Sequence, residues 1–346
     1  MMMWLVGAVF KALRVASNLV FFFEAQRLLG CLIKPTSDER VQRVDQKVLE
    51  AAGVELRHEN VKCAGYKIRT VFCGNPTDPP LVLIHGHSMS SSFWYRNFAD
   101  LVNMGYYVIG LDLLGWGRSE RPFYSGETVE DSVHFYMESF NEWRVNLRLE
   151  KFSVIAHSIG AYLAYEFAKR HPGTVTRLML VTPAAIEQRL SLLTGIYFTL
   201  TPQTVARRLG LLGYLLFEMK FPKEEPYTAN SLKDLTWQLN CRPTPSGDIA
   251  IRHLIEFESW NRPVVKRPFI NSLEHLEMPV HVVSADMDTL VSIQSVENLY
   301  RALVKTGTEC TYNVTIGSNH CPFLEVPDQF REIVGKYFDR KMRAGA

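Results

Sequence analysis

Three residue types set far apart in this chain, a serine, a histidine and an aspartate, could together carry out nucleophilic acyl chemistry. The serine is Ser158, in the stretch Lys151-Phe-Ser-Val-Ile-Ala-His-Ser-Ile-Gly-Ala-Tyr-Leu-Ala-Tyr165, an apolar run into a serine with small residues on either side and then a helical pattern. Strand, sharp turn and helix at that spacing aim the hydroxyl away from the backbone and leave the next N–H at a helix start, where it can stabilise an oxyanion. Ala156 and Gly160 keep strand and helix close, although Ala156 stands where such elbows more often carry glycine. A serine hydroxyl is a poor nucleophile at neutral pH, so a histidine must take its proton and an acid must orient the imidazole. Of the ten histidines, His320 follows the last apolar strand segment and is the expected base. His87 and His157 lie nearby in sequence, but where the chain turns. Asp286 and Asp288, both just past another apolar segment, are the candidate acids. Asp112 ends a further strand and reads as a turn or supporting residue.

The elements that must position these groups follow from periodicity. Val54–Cys63 and Gly65–Cys73 alternate as two antiparallel strands, and Leu81–Ile84, Tyr106–Leu111, the run before Ser158 and Val175–Val181 read as short buried strands. Helical patterns over Ser92–Val102, Val129–Leu149 and Ala161–Arg170 separate them, so a parallel sheet covered on both faces is predicted. The alternation stops at 185. Residues 185–270 show no buried-strand signal; they hold Leu- and aromatic-rich helical stretches, Leu190–Leu200, Val205–Met219 and Leu232–Leu239, cut by prolines. This segment reads as a helical cap inserted into a core of residues 50–184 and 271–346. The sheet resumes at Pro279–Ala285 and Glu309–Ile316, and Val326–Met342 closes the chain as a helix. Residues from Pro35 to Lys47 read as a polar stretch.

Composition narrows the class of partner. With 346 residues, 38 basic and 36 acidic, and a formal net charge of +2, the chain offers no concentrated basic face for nucleic acid. Its six cysteines, at 31, 63, 73, 241, 310 and 321, show neither zinc-ligand spacing nor a disulfide framework, and read as reduced thiols in an intracellular compartment. Residues 1–34 depart from this pattern. Lys11, Arg14, Ser17 and Asn18 fall on one side of a helix and aromatic and aliphatic residues on the other, which predicts an amphipathic segment lying in a membrane interface. The apolar run is too interrupted for a membrane span. Its basic, acid-poor character also leaves mitochondrial targeting open.

The order His85-Gly86 after the third strand, the Ser158 elbow, an acid beyond the cap and His320 after the last strand resembles the α/β-hydrolase fold. Pro80-Leu-Val-Leu-Ile-His-Gly86, Leu111-Asp-Leu-Leu-Gly-Trp-Gly-Arg-Ser-Glu-Arg-Pro122 and Glu138-Ser-Phe-Asn-Glu-Trp-Arg144 are similar to one branch of that family. This branch contains lysophospholipases, lysophosphatidic acid acyltransferases, cardiolipin deacylases and a lipid-droplet coactivator of triglyceride lipase. The resemblance implies a Ser158, Asp288, His320 set, since the family spacing from Ala285 picks Asp288 over Asp286. It also implies an oxyanion hole formed by the backbone N–H groups of His87 and Ile159. No metal or organic cofactor is implied.

The expected activity is hydrolysis of an acyl ester, most simply of a lysophospholipid or related lipid, at a membrane or lipid-droplet surface. The cap holds eleven Lys and Arg against eight Asp and Glu, a slight positive bias that suits an acyl chain attached to an anionic head. Three other readings stay open: a lipid acyltransferase, a soluble esterase or peptidase of the same fold, and a non-catalytic lipid-binding regulator. In the branch, acyl transfer goes with an Asp five positions after the histidine; here that position is Glu325.

Overall fold

The computed structural model describes residues 36–63, 65–187, 195, 201–220, 231–259 and 262–338. The expected membrane-associating segment 1–34 and the expected helix Leu190–Leu200 lie outside the described residues, apart from Gly195.

An eight-stranded sheet forms the centre: β1 (Arg57–Cys63), β2 (Tyr66–Cys73), β3 (Pro80–Ile84), β4 (Tyr107–Leu111), β5 (Phe152–His157), β6 (Val175–Val181), β9 (Val280–Ala285) and β10 (Cys310–Thr315). Their spatial order is β1-β2-β4-β3-β5-β6-β9-β10; β1 pairs antiparallel with β2 and β2 with β4, and every other pair is parallel. The middle strands are buried on both faces, as a parallel sheet covered by helices requires, whereas edge strand β1 is largely exposed along its first half. Alternate side chains feed two cores. Val82, Ile84, Val154, Ala156, Leu178 and Leu180 face one side with α3 (Val129–Asn146), α4 (Ile159–Arg170) and α8 (Ile293–Lys305). Leu81, Leu83, Ile155, Met179 and Val181 face the other with α1 (Asp38–Leu49), α2 (Phe98–Asn103) and α10 (Pro327–Phe338). Because the strands end together, the loops at their carboxyl ends meet in one crevice.

The structure departs from the sequence reading in three places. The polar stretch before residue 50 is helix α1, capped by Ser37 Oγ accepting from the Arg40 N–H at 3.2 Å, with Val41, Val44 and Val48 buried along one stripe. Asp45 of that helix is fully buried, pairs with Arg69 at 2.8 Å and Arg118 at 3.0 Å, and accepts from Ser92 Oγ. The expected helix Ser92–Val102 is instead a 3-10 turn, Ser91–Trp94, followed by α2. Asp112 takes both the N–H and the hydroxyl of Ser91, and Asp45 takes the hydroxyl of Ser92, so side chains compete with the helix at its start. Between 185 and 270, where no strand was expected, Ile255–Ser259 (β7) and Arg262–Val265 (β8) form an antiparallel hairpin. Its ladder is short, carries outward Glu256 and Glu258 and includes Pro263, so it lacks the apolar run that marks a buried strand.

The described cap residues otherwise form α5 (Pro202–Lys220), α6 (Leu232–Asn240) and α7 (Gly247–Arg252). Leu232, Leu235 and Leu239 of α6 pack with Val41, Val44 and Val48 of α1 in the second core, so the helix just after residue 35 holds the cap from one side. Arg242 to Asp38 at 2.6 Å adds an ion pair at the same seam. The last described elements are α9 (Pro322–Glu325) and α10.

Candidate active site

Ser158 sits between β5 and α4 with φ 55° and ψ −121°. A non-glycine residue with positive φ is strained by roughly 1–3 kcal/mol and must be held by its surroundings. Here the Ser158 N–H donates to Val181 O at 2.9 Å, and its carbonyl accepts from Ala161 at 3.0 Å and Ala184 at 3.2 Å. Gly160 lets α4 approach the preceding loop: a Cβ there would lie 2.4 Å from His85 O. Gly86 does the same from the other side, since its Cβ would lie 2.6 Å from His157 Nδ1 and 3.0 Å from Ser158 Cβ. Ala156 is fully buried, so its extra methyl is accommodated in the first core.

The structure brings Ser158, His320 and Asp288 together. His320 Nε2 lies 2.9 Å from Ser158 Oγ, and its Nδ1 lies 2.7 Å from Asp288 Oδ2. A carboxylate can only accept, so Nδ1 carries the proton and Nε2 is left to receive the serine's. The Asp288 side chain is 1% exposed, and its other oxygen accepts the N–H groups of Leu290 at 2.8 Å and Val291 at 3.0 Å, which fixes the carboxylate plane. Asp286 points elsewhere. Its Oδ1 accepts from Gly317 at 2.8 Å and Ser318 at 3.3 Å, tying the end of β9 to the loop that carries His320.

That loop has supports the sequence did not reveal. The His320 carbonyl accepts from Thr182 Oγ1 at 2.9 Å and from His157 Nε2 at 2.8 Å. Because a carbonyl takes the proton, His157 bears hydrogen on Nε2, and full burial holds its pKa well below the ordinary histidine value. It is a neutral brace for the loop and does not contact Ser158 Oγ or Asp288 through a hydrogen bond. Asn319 Oδ1 accepts from the Thr289 N–H at 3.1 Å and the His320 N–H at 2.9 Å, linking the acid loop to the base loop. Glu325 accepts the Asn319 N–H and so closes the histidine loop onto α9.

On the far side of Ser158 runs His85-Gly86-His87-Ser88. His85 is buried, its Nδ1–H donates to Gly86 O at 2.7 Å, and its Nε2 accepts from the Leu113 N–H at 3.0 Å; these contacts set the loop's path. Burial lowers its pKa, as it does for His87, which is pulled down to about 4. Ile159 is the first residue of α4, so its N–H has no acceptor within the helix. The His87 ring packs edge-on to Trp116, with centroids 4.8 Å apart. Two cap amides grip this loop. Gln203 of α5 donates to Ser88 Oγ, contacts His87 Nε2 at 3.3 Å and donates to Asn240 Oδ1 at 2.6 Å, while Asn240 Nδ2 donates to Ser88 O at 3.0 Å. Nothing in an apolar-helix reading of the cap singles out Gln203 or Asn240, though Gln203 and Arg207 do share the i, i+4 spacing of a polar stripe.

Among the described residues no group of three His, Cys, Asp or Glu is arranged to hold a metal ion. Among the same residues Cys63, Cys73 and Cys310 are free thiols. His320 Nε2 is placed to take the Ser158 hydroxyl proton and to return it to a leaving group.

Sheet, elbow and loop order define an α/β-hydrolase, and a family model for the alpha/beta hydrolase fold matches residues 79–327; the chain belongs to that family. Within it the chain falls in the branch that holds the ABHD5 proteins. It is 28% identical over 325 residues to the 1-acylglycerol-3-phosphate O-acyltransferase ABHD5 of Mus musculus, spanning 86% of this chain and 89% of that one. A probable 1-acylglycerol-3-phosphate O-acyltransferase of Oryza sativa subsp. japonica is 25% identical over 345 residues, 87% of this chain and 81% of that one. Among solved structures, a membrane phospholipase A described as a novel bacterial virulence factor matches with a TM-score of 0.68 at 21% identity, covering 98% of each chain, a likeness of fold.

Proposed function

We propose that this chain is a serine hydrolase of lipid acyl esters that works through an acyl-enzyme on Ser158. The observation that carries the reading is the relay Asp288 to His320 to Ser158, with spacings of 2.7 and 2.9 Å, on a serine held at positive φ. His320 Nε2 takes the serine proton as Oγ attacks the ester carbonyl, and Asp288 stabilises the imidazolium. The N–H groups of Ile159 and His87 receive the developing oxyanion. As the tetrahedral intermediate collapses, His320 returns the proton to the departing alcohol; a water, deprotonated by the same nitrogen, then releases the fatty acid. The lipid character of the substrate is supported by the acyltransferase activity for which the relatives are named.

A test is fatty-acid release from a panel of lysophospholipids, with Ser158→Ala as the control. Release that is unchanged in the variant contradicts the reading.

Acyl transfer is the second reading, favoured by the relatives' names. The same acyl-enzyme could be resolved by a lipid hydroxyl. Glu325 stands where the branch's transferases carry Asp, and its carboxylate serves the histidine loop, which supports water as the acceptor. Supplying an acyl donor with excess lysophospholipid and comparing free with transferred acyl chain separates the two; a majority of transferred product overturns the choice of water.

We further propose peripheral membrane association through residues 1–34. No described helix is long and apolar enough to cross a membrane. Deleting 1–34 should abolish flotation with anionic vesicles and leave turnover of a short soluble ester within about twofold; flotation that survives the deletion contradicts the assignment.

A further inference from the structure

Buried charge collects beneath the cap in a place the acyl chemistry does not use. Arg207 of α5 pairs with Asp248 of α7, the two side chains 4% and 1% exposed, and Arg207 Nη1 is buried with no hydrogen-bond partner. Arg121, on the loop after β4, donates Nη2 to Leu239 O at 3.0 Å, while its Nε is likewise buried and without a partner. Burial first, and then the positive charge of Arg242, pull Arg121 down to about 9 against the opposing attraction of Asp248, as expected of a desolvated cation. Arg121 touches Leu239 O, next to Asn240, which Gln203 contacts one turn before Arg207, so the two guanidinium groups sit on adjoining segments, with Asp248 paired to Arg207. In the neighbouring buried set Arg69 and Arg118 stand against Asp45 and Asp112. Arg242 is already paired with Asp38.

This group lies next to the nucleophile's loop. Gln203, one helical turn before Arg207 and so about 5–6 Å away, touches His87 and Ser88. From the other side, Trp116 packs on His87, and its indole lies against Gly247, the residue before Asp248. Gln203 and Trp116 thus join the His87–Ser88 loop to the parts of α5 and α7 that carry Arg207 and Asp248. Guanidinium groups hold phosphate and carboxylate through paired N–H donors, and a desolvated cation gains more from such an anion than an exposed one does.

We propose that Arg121 and Arg207 form a subsite for an anionic group, a phosphate monoester or carboxylate, carried by the acyl-ester substrate. Asp248 orients Arg207 and moderates the site's charge. The ester part of this assignment rests on the hydrolase reading; the anion site does not.

The test is calorimetric titration of the full chain carrying Ser158→Ala, so that no turnover interferes. Dodecyl phosphate, zwitterionic dodecyl phosphocholine and inorganic phosphate are the three probes. Dodecyl phosphate should bind tighter than dodecyl phosphocholine by about tenfold or more, because its monoester carries a larger, uncompensated negative charge whereas choline offsets the phosphodiester's. Adding Arg121→Gln should erase most of that preference, and adding Asp248→Asn should increase it. Equal affinity for the phosphate and phosphocholine probes, or a preference that neither substitution moves, overturns the proposal. Inorganic phosphate binding as tightly as dodecyl phosphate overturns the substrate-borne source. If the hydrolase reading fails, the parent chain turns over no ester, yet these binding ratios still decide the subsite.

Discussion

The loops around Ser158 and the cap above them are held by different means. In the core, backbone geometry does the positioning: β5 ends in a strained serine, Asp286 and Asp288 each capture successive N–H groups, and Gly86 and Gly160 permit approaches that a Cβ would block. In the cap, side chains do it: Gln203 and Asn240 reach Ser88, Arg207 reaches Asp248, and leucines of α6 lie on valines of α1. Local backbone geometry is written in neighbouring residues, whereas a contact between Gln203 and Ser88 spans more than a hundred positions.

The sharpest way to break this comparison is at the two aspartates. Asp288→Asn should lower turnover by about four orders of magnitude, because the amide no longer holds His320 in the required tautomer. Asp286→Asn should cost less than about tenfold, since an amide oxygen still accepts from Gly317 and Ser318. Steady-state kinetics on one ester decide it; the reverse ranking would make Asp286 the acid.

The cap's influence should be smaller and of another kind. Gln203→Ala removes the link from α5 to His87 and Ser88, so kcat should fall by about tenfold with KM little changed, short of the 10²–10³ lost with an oxyanion donor itself. A change in KM alone would make Gln203 part of the substrate pocket and not a positioning residue.

The smallest effect expected is on stability against pH. Burial keeps His85, His87, His157 and His281 neutral, His87 and His281 with values pulled down to about 4. Their folded values lie below the unfolded value of about 6.5, so the unfolded chain takes up more protons in between. Stability is therefore present above about pH 6.5 and drains away as pH falls towards about 4. His281, remote from Ser158 and stacked on Tyr337, separates this from catalysis. Melting temperatures followed from pH 7 to 4 should decline, and His281→Gln should decline less steeply; a flat profile contradicts the account.

How much was legible follows the same division. Ser158, His320 and the pair of aspartates stand at strand ends, where an apolar run meeting small or turn-forming residues marks the position. Choosing Asp288 over Asp286 took the family spacing, because both sit in the same turn and only the direction of each carboxylate separates them. Thr182 and His157, which brace the His320 carbonyl, carried no local signal: one follows a strand as many threonines do, and the other reads as part of the elbow. Helix α1 was missed although Val41, Val44 and Val48 show its period, because its outer face is almost wholly charged. In the cap, leucine-rich windows marked helices, yet the polar residues that join cap to core could not be picked out, since their partners lie in other elements.

The most direct test of the central claim, that Ser158 is an activated nucleophile, is covalent labelling with a fluorophosphonate followed by mass spectrometry. The native chain should take up a single phosphonyl group on Ser158, and Ser158→Ala and His320→Ala should take up little or none. Well-folded native protein that resists the probe, or that is modified at another residue, would contradict the assignment and leave a lipid-binding role in its place.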